Sequence, residues 1–286
     1  MSEYEKRGYL LESFRLFHLR SEGETKVDFH YHEFCKILLL VSGRGSYFVE
    51  GRRYALSPGD VVLIGSRSVH KPELEADTPY ERIIIYVSPE YLQRLSTADC
   101  DLLSVFSGGE GHVLRPREQQ RKQLFSLAAA LERDLAPDTF GRELLSHAGL
   151  LRLMVEIARD LRDTSANLPS PVLPENHRVR EILQYLEDNL AEDIDIDQLA
   201  EKFYVSRYYM MRQFRRETGT TIYLYLTQRR LMHARDLIAG GMSATQACYA
   251  CGFRSYSSFT RAYGKHFGTT PTGRVDTRLV REEGYE

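Results

Sequence analysis

Two segments in the last third of this chain repeat one register. Aligning Ser206 with Ser255 places Met210 against Phe259 four positions on, Arg212 against Arg261 at six, Phe214 against Tyr263 at eight, Arg216 against Lys265 at ten and Gly219 against Gly268 at thirteen. A small capping residue, an apolar pair four apart, cations on another face and a stop glycine describe a short amphipathic helix. Each repeat follows a shorter helical stretch and a tight turn. Asp195, with Gln198 three residues on, opens the first stretch, which runs to Phe203; Ser243 opens the second, and Gly252-Phe253 make its turn. Two helix-turn-helix units are therefore expected, at 196–217 and 244–267. A long helix over 222–239, stopped by Gly240-Gly241, joins them.

The charge distribution agrees with this reading. The whole chain has a net charge of −2, yet residues 198–281 hold 14 Lys and Arg against 4 Asp and Glu. A basic block on an otherwise acidic chain is the electrostatic footprint of a nucleic-acid-binding module. A length of 286 residues predicts about two domains. No apolar run approaches the roughly 20 residues a membrane helix needs, and the opening MSEYEKRGYL lacks the basic-then-apolar layout of a secretory leader. Four scattered cysteines (Cys35, Cys100, Cys248, Cys251) do not make a disulfide framework. The expectation is a cytoplasmic protein with no membrane contact.

Residues 13–87 alternate polar and apolar, as in SFRLFHLR and GSYFVEG. Turn signals interrupt them at Ser42-Gly43, Glu50-Gly51 and Ser57-Pro58-Gly59-Asp60. That spacing predicts a small β-barrel or sandwich. From Gln119 the period becomes helical: Leu124, Leu127, Ala128, Leu131 and Leu135 fall on one stripe, and a second helix over 142–161 is apolar nearly all round. A helix with two apolar faces is expected to cover the strands on one side and, on the other, either its neighbour in the chain or, the favoured reading, a second subunit. SANLPSPVLPEN then breaks every period and reads as an extended linker. The expected organisation is α+β in two domains. An effector-binding and dimerisation domain spans 1–164, a linker 165–176 and an all-α DNA-binding domain 177–276.

A major groove about 12 Å wide admits one α-helix, whose N-terminal half reaches base edges. On the first repeat helix Tyr208, Met211 and Arg212 share the face opposite Met210 and Phe214; on the second, Tyr256, Ser257, Thr260 and Arg261 stand near the same end. Arginine binds guanine through two parallel hydrogen bonds, so Arg212 and Arg261 are the base-reading candidates. The caps and cations Ser206, Arg207, Arg215, Arg216, Arg254 and Lys265 are expected on phosphates, where they supply affinity and salt dependence rather than sequence choice. The first repeat carries more cations, and is expected to dominate binding. Cys248-x-x-Cys251 lacks a second Cys or His pair nearby, and reads as small core residues.

Residues from about 179 to 274 resemble the DNA-binding domain of AraC/XylS-type transcriptional regulators. The likeness is carried by IDIDQLAEKFYVSRYYMMRQFRRETGTT, YLTQRRLMHARDLI and CGFRSYSSFTRAYGKHFGTTP. The resemblance implies seven helices in two helix-turn-helix subdomains, whose recognition helices enter the major groove about one helical turn apart. Ala247-Cys248 and PTGR depart from the family's usual residues.

The N-terminal segment FHYHEFCKILLLVSGRGSYFVEGRRYALSPGDVVLIGSRSVHK resembles the cupin-like sensor domain carried by many regulators of this type. The resemblance implies a barrel that takes a small polar effector, a carbohydrate being the commonest kind, on some of His30, His32, Glu33, Lys36, Arg52 and His70. Metal-binding cupins use two histidines, a glutamate and a later histidine; Lys36 stands where that glutamate is often found, so neither metal nor other cofactor is expected. The chain is thus expected to be a non-enzymatic regulator. Its expected partners are double-stranded DNA, a small-molecule effector, a second copy of itself and RNA polymerase. Two rivals stay open: a metal-dependent cupin enzyme fused to a DNA-tethering domain, and an effector-independent regulator whose barrel only dimerises.

Overall fold

Strand β4 (Cys35–Ser42) holds the first unit together, and its sequence CKILLLVS says why. Six of its residues are buried in succession, as they must be when both faces of a strand are covered. In the computed structural model the two faces pack on different partners. Ile37 and Leu39 belong to one hydrophobic cluster, and Leu38 and Leu40 to another. The same parity splits Val61 and Leu63 from Val62 and Ile64, and Ile83 and Ile85 from Ile84. The structure describes residues 5–21, 27–75, 79–106, 112–138, 140–162, 168–174, 176–267 and 269–272. The expected limits that fall at 163–167, 175 and 273–276, and the second stop glycine Gly268, lie outside them.

The strands are β1 (Glu5–Lys6), β2 (Phe14–Ser21), β3 (His30–Tyr31), β4, β5 (Gly45–Val49), β6 (Arg52–Leu56), β7 (Val61–Ile64), β8 (His70–Leu74), β9 (Tyr80–Val87) and β10 (Val113–Leu114). They form two five-stranded sheets, in the orders β1-β3-β8-β5-β6 and β10-β7-β4-β9-β2. The pairings are antiparallel apart from the two-residue β1–β3 ladder. The expected barrel is not closed. Closure needs an unbroken ring of hydrogen-bonded strands, whereas here no ladder among the described residues joins the two sheets. Side chains join them instead: Leu38, Leu40, Val62 and Ile64 from one sheet meet Tyr47, Val49, Tyr54 and Leu56 from the other.

Helices cover the outer face of the second sheet. These are α1 (Pro89–Leu95), α2 (Glu118–Asp134) and α3 (Arg142–Arg162). Leu124, Ala128 and Leu131 of α2 and Leu150, Leu153, Met154 and Ile157 of α3 share a cluster with Ile37, Leu39, Leu63 and Ile85. Each fully buried aliphatic side chain there contributes about 1.5–3 kcal/mol. Much of the apolar surface of α3 is thus taken up within the unit: Leu151 and Val155 also pack on this cluster, while Leu144 remains 79% exposed.

The chain divides into two compact units near Pro171 and Val172. In the second, α4 (His177–Asp188), α5 (Ile196–Lys202), α6 (Arg207–Thr218), α7 (Ile222–Ala239), α8 (Ala244–Ala250) and α9 (Tyr256–Phe267) follow one another. The 18 residues of α7 span about 27 Å at 1.5 Å per residue. Its N-terminal half, with Ile222 and Tyr225, joins α4, α5 and α6 in one core; its C-terminal half, with Leu231 and Ala234, joins α8 and α9 in another. Gly240 caps it and Gly241 turns the chain at φ +95°. Cys248 and Cys251 are fully buried in the second core, as small apolar residues would be. Among the described residues no helix is long and apolar enough to cross a membrane.

Candidate nucleic-acid interface and effector site

Caps set where the two exposed helices begin. Ser206 Oγ accepts from Tyr209 N at 3.3 Å and Ser255 Oγ from Ser258 N at 3.4 Å, each satisfying one of the orphan amides at a helix start. Met210 and Phe214 of α6, and Phe259 and Tyr263 of α9, turn into their cores. The helical period then sends the predicted contact residues outward. Tyr208 is 74% exposed, Met211 43%, and Arg207, Arg212, Arg215, Arg216, Ser257, Arg261 and Lys265 are exposed as well. Tyr256 is half-buried against Phe259, and the Thr260 hydroxyl donates to Tyr256 O, so these two are partly committed to the fold.

The cations differ in how they are held. Arg212 lies over the Tyr208 ring, 5.8 Å from its centroid. Arg207 donates to both carboxylate oxygens of Asp197, at 2.9 and 3.2 Å, Arg254 pairs with Asp193, and Arg216 pairs with Glu217 at 3.1 Å. Arg261 and Lys265 engage no hydrogen bond or ion pair among the described residues.

The turns before the helices are unequal. Helices α6 and α9 begin 49 residues apart, but α5 and α8 end 48 apart, so the second turn is one residue longer. Each shorter helix ends on a left-handed residue, Tyr204 (φ +54°) and Gly252 (φ +77°). The following amides of Val205 and Phe253 reach back to Ala200 O and Cys248 O, closing the same six-to-one cap.

A second polar cluster lies in the β-sheet unit. Strands β3 and β8 place His30 opposite His70 in register, and His32 follows at the end of β3. Their rings converge, with centroids 4.2 Å apart for His30 and His70 and 4.7 Å for His32 and His70. Lys36 shares the inward parity of Leu38 and Leu40 on β4, so its side chain enters the space between the sheets; there Nζ donates to the Tyr47 hydroxyl of β5 at 3.0 Å. Burial, reinforced by the charge of Lys36, holds His32 well below the ordinary histidine range. Burial and the neighbouring His32 and Lys36 do the same to His70. Both shifts favour the neutral ring.

Not every expected member joins the cluster. Glu33 pairs outward with Lys6 and with Arg67 at 3.4 Å, and Arg52 opens β6 with no hydrogen bond or ring contact to the histidines among the described residues. Tyr47 and Tyr86 are members that sequence reasoning missed; Tyr86 lies 6.0 Å from His32, ring to ring. Tyr47 was within reach, since it occupies an inward position of the alternating GSYFVEG strand. Among the described residues no group of three or more His, Cys, Asp or Glu is arranged to hold a metal ion.

Paired helix-turn-helix subdomains in one unit and a buried polar cluster in a separate β-sheet unit define a two-domain regulator that binds DNA. Comparison with known proteins agrees. Residues 13–154 match the AraC-like ligand binding domain and residues 199–273 a helix-turn-helix domain. The transcriptional activator RhaS of Escherichia coli is 28% identical over 248 residues, 85% of each chain. The solved structure of ToxT from Vibrio cholerae covers 96% of this chain and 99% of its own at 13% identity and a TM-score of 0.37. The DNA-binding domain of AdpA in complex with a target DNA covers 38% of this chain and 100% of its own at 27% identity and a TM-score of 0.33. The chain belongs to the AraC family of transcriptional regulators.

Proposed function

We propose that the protein is a cytoplasmic, sequence-specific transcriptional regulator, with no catalysis of its own, whose DNA binding is governed by a small polar effector held in the β-sheet unit. The carrying observation is the pair of capped helices that bury equivalent apolar residues and turn Arg212 and Arg261 outward from equivalent positions. In this reading Arg212 and Arg261 read base edges, and Arg207, Arg215, Arg216, Arg254 and Lys265 follow phosphates. Its domains are those expected, 1–164 and 177–276 with the linker between. The effector contacts His30, His32, Lys36 and His70. The protein acts as a homodimer through α2 and α3, where Leu144 and Leu145 are exposed (79% and 46%), and works on promoter DNA together with RNA polymerase, as the activator name of RhaS suggests.

The test is a footprint on DNA around its own gene, repeated with Arg212→Ala and Arg261→Ala. Each substitution is expected to weaken specific binding by about 1–3 kcal/mol and to relax choice at particular base pairs. Unchanged selectivity in both variants refutes the base-reading assignment.

A further inference from the structure

The histidine cluster carries information about the chemistry of what it binds. Each of its rings places Nδ1 on a backbone carbonyl: His30 on Asp28 O at 2.8 Å, His32 on Phe34 O at 2.6 Å and His70 on Ser68 O at 2.8 Å. A carbonyl can only accept, so Nδ1 carries the proton and Nε2 presents a lone pair. For His32 and His70 that Nε2 is buried without a partner, in residues 2% and 0% exposed. Two acceptors cannot satisfy one another, so both wait for donors.

Beside them Lys36 is 8% exposed, and among the described residues the Tyr47 hydroxyl is its one hydrogen-bond partner. No carboxylate among the described residues forms an ion pair with it. A buried ammonium without a counter-charge is costly. The Arg82 guanidinium, whose charge is felt at Lys36, donates to Ser21 Oγ and Tyr80 O. Burial lowers the Lys36 pKa from its ordinary value, and an anion beside the amine would favour its charged form. The site therefore offers two lone pairs and one amine placed to hold a positive charge against an anion.

Three ligand types satisfy only part of this. A neutral polyol supplies donors for the imidazoles but leaves Lys36 uncompensated. A plain carboxylate pairs with Lys36 but leaves both Nε2 atoms bare. A divalent metal suits the lone pairs but meets an adjacent cation with no carboxylate to offset it. We propose that the site takes a small hydroxycarboxylate, its carboxylate on Lys36 and Tyr47 and its neighbouring hydroxyls donating to Nε2 of His32 and His70. This rests on the effector reading given above and narrows it to acidic, hydroxylated compounds.

The test uses the purified full-length protein and calorimetric titration with glycerate, gluconate and glucuronate, against glycerol, glucose, acetate and zinc chloride. At least one hydroxy acid should bind, and bind at least tenfold tighter than its neutral counterpart and than acetate. Lys36→Met should lower that affinity by roughly tenfold to a hundredfold, the range of a charge-assisted hydrogen bond. The same variant should melt at or above the temperature of the parent without ligand, because it removes an uncompensated buried charge. Equal binding of glucose and glucuronate, or loss of neither in Lys36→Met, overturns the hydroxycarboxylate assignment and leaves an effector site standing. Zinc binding alone, lost in His32→Ala/His70→Ala, overturns it in favour of a metal. Failure of every probe to bind overturns the assignment and the effector reading together.

Discussion

Glu187 of α4 and Arg229 of α7 face each other as a two-point pair: Nε donates to one carboxylate oxygen at 2.7 Å and Nη2 to the other at 2.9 Å. The Tyr225 hydroxyl donates to the same carboxylate. This pair fixes the entry helix of the DNA-binding unit to the long helix that spans both subdomains. Burial alone would raise the Glu187 carboxyl, but the hydrogen bonds from Arg229 and Tyr225 outweigh it and hold it below the ordinary glutamate range. A depressed folded pKa contributes stability that is present above the unfolded value and lost as pH falls through the folded one. Arg229→Ala should therefore cost about 2–3 kcal/mol at neutral pH by taking the ion-pair partner from a partly buried carboxylate that keeps only the Tyr225 hydroxyl. Stability of the parent should fall as pH drops below about 4.5, and the variant should show a shallower fall. Parallel acid titration curves for the two would sink the assignment.

The two turns give a paired prediction. Tyr204 adopts φ +54° with its side chain 89% exposed, so it bears left-handed strain with little packing in return. Tyr204→Gly should leave stability unchanged or raise it by up to about 1 kcal/mol. Gly252 has φ +77°, and a Cβ there would stand 2.5 Å from Ala191 O, a backbone atom that cannot swing aside. Gly252→Ala should cost more than about 2 kcal/mol. Urea denaturation of both variants is the check; equal effects would contradict the close approach between the second turn and the segment after α4.

Part of this was legible in the residues. The end of α7 follows from Gly240-Gly241 as its stop, and the core-facing Met210, Phe214, Phe259 and Tyr263 follow from helical period. The continuous apolar runs of β4 and β9 mark strands, but such a run reports only that both faces are covered. It cannot say whether ten strands close into a ring, and here they form two open sheets. The extra residue in the second turn was also hidden, because aligning Ser206 with Ser255 fixes the recognition helices and not what precedes them. In the polar cluster the histidines stood out by type. Lys36 read as a departure from a metal-ligand pattern; only the packing shows that it bridges the sheets to Tyr47. Glu33 looked inward by neighbourhood, yet Lys6 and Arg67 draw it out.

Two cations at the starts of the exposed helices are already occupied by acids of the same unit, Arg207 on α6 by Asp197 and Arg254 in the turn before α9 by Asp193. Such exposed pairs are worth at most about 1 kcal/mol to the fold; in the proposed reading of Arg207 and Arg254 as phosphate contacts, each acid would compete with a phosphate. Asp197→Asn and Asp193→Asn should leave melting temperature nearly unchanged and tighten binding to any duplex by about two- to tenfold at low salt. The gain should shrink as salt rises and screening takes over. Fluorescence anisotropy at two salt concentrations decides it, and unchanged affinity at low salt would show that Arg207 and Arg254 do not approach phosphates.

A pH effect of opposite sign is built into the β-sheet unit. His18 on β2 lies between two carboxylates, with Nε2 2.9 Å from Glu81 of β9 and Nδ1 3.1 Å from Glu132 of α2. Only the doubly protonated ring can donate to both, so the charged form ties the sheet to the helix that covers it. Partial burial disfavours that charge, but the hydrogen bonds and charges of Glu81 and Glu132 overcome it and raise the His18 pKa above its ordinary value. A raised folded pKa contributes stability that is complete below the unfolded value, about 6.5, and is lost as pH climbs through the folded one. The melting temperature of the full-length protein should therefore decline as pH rises above about 6.5. In His18→Gln that decline should flatten, with the largest difference from the parent at the acid end. A variant whose profile matches the parent across this range would show that the imidazole does not carry the link between β2 and α2.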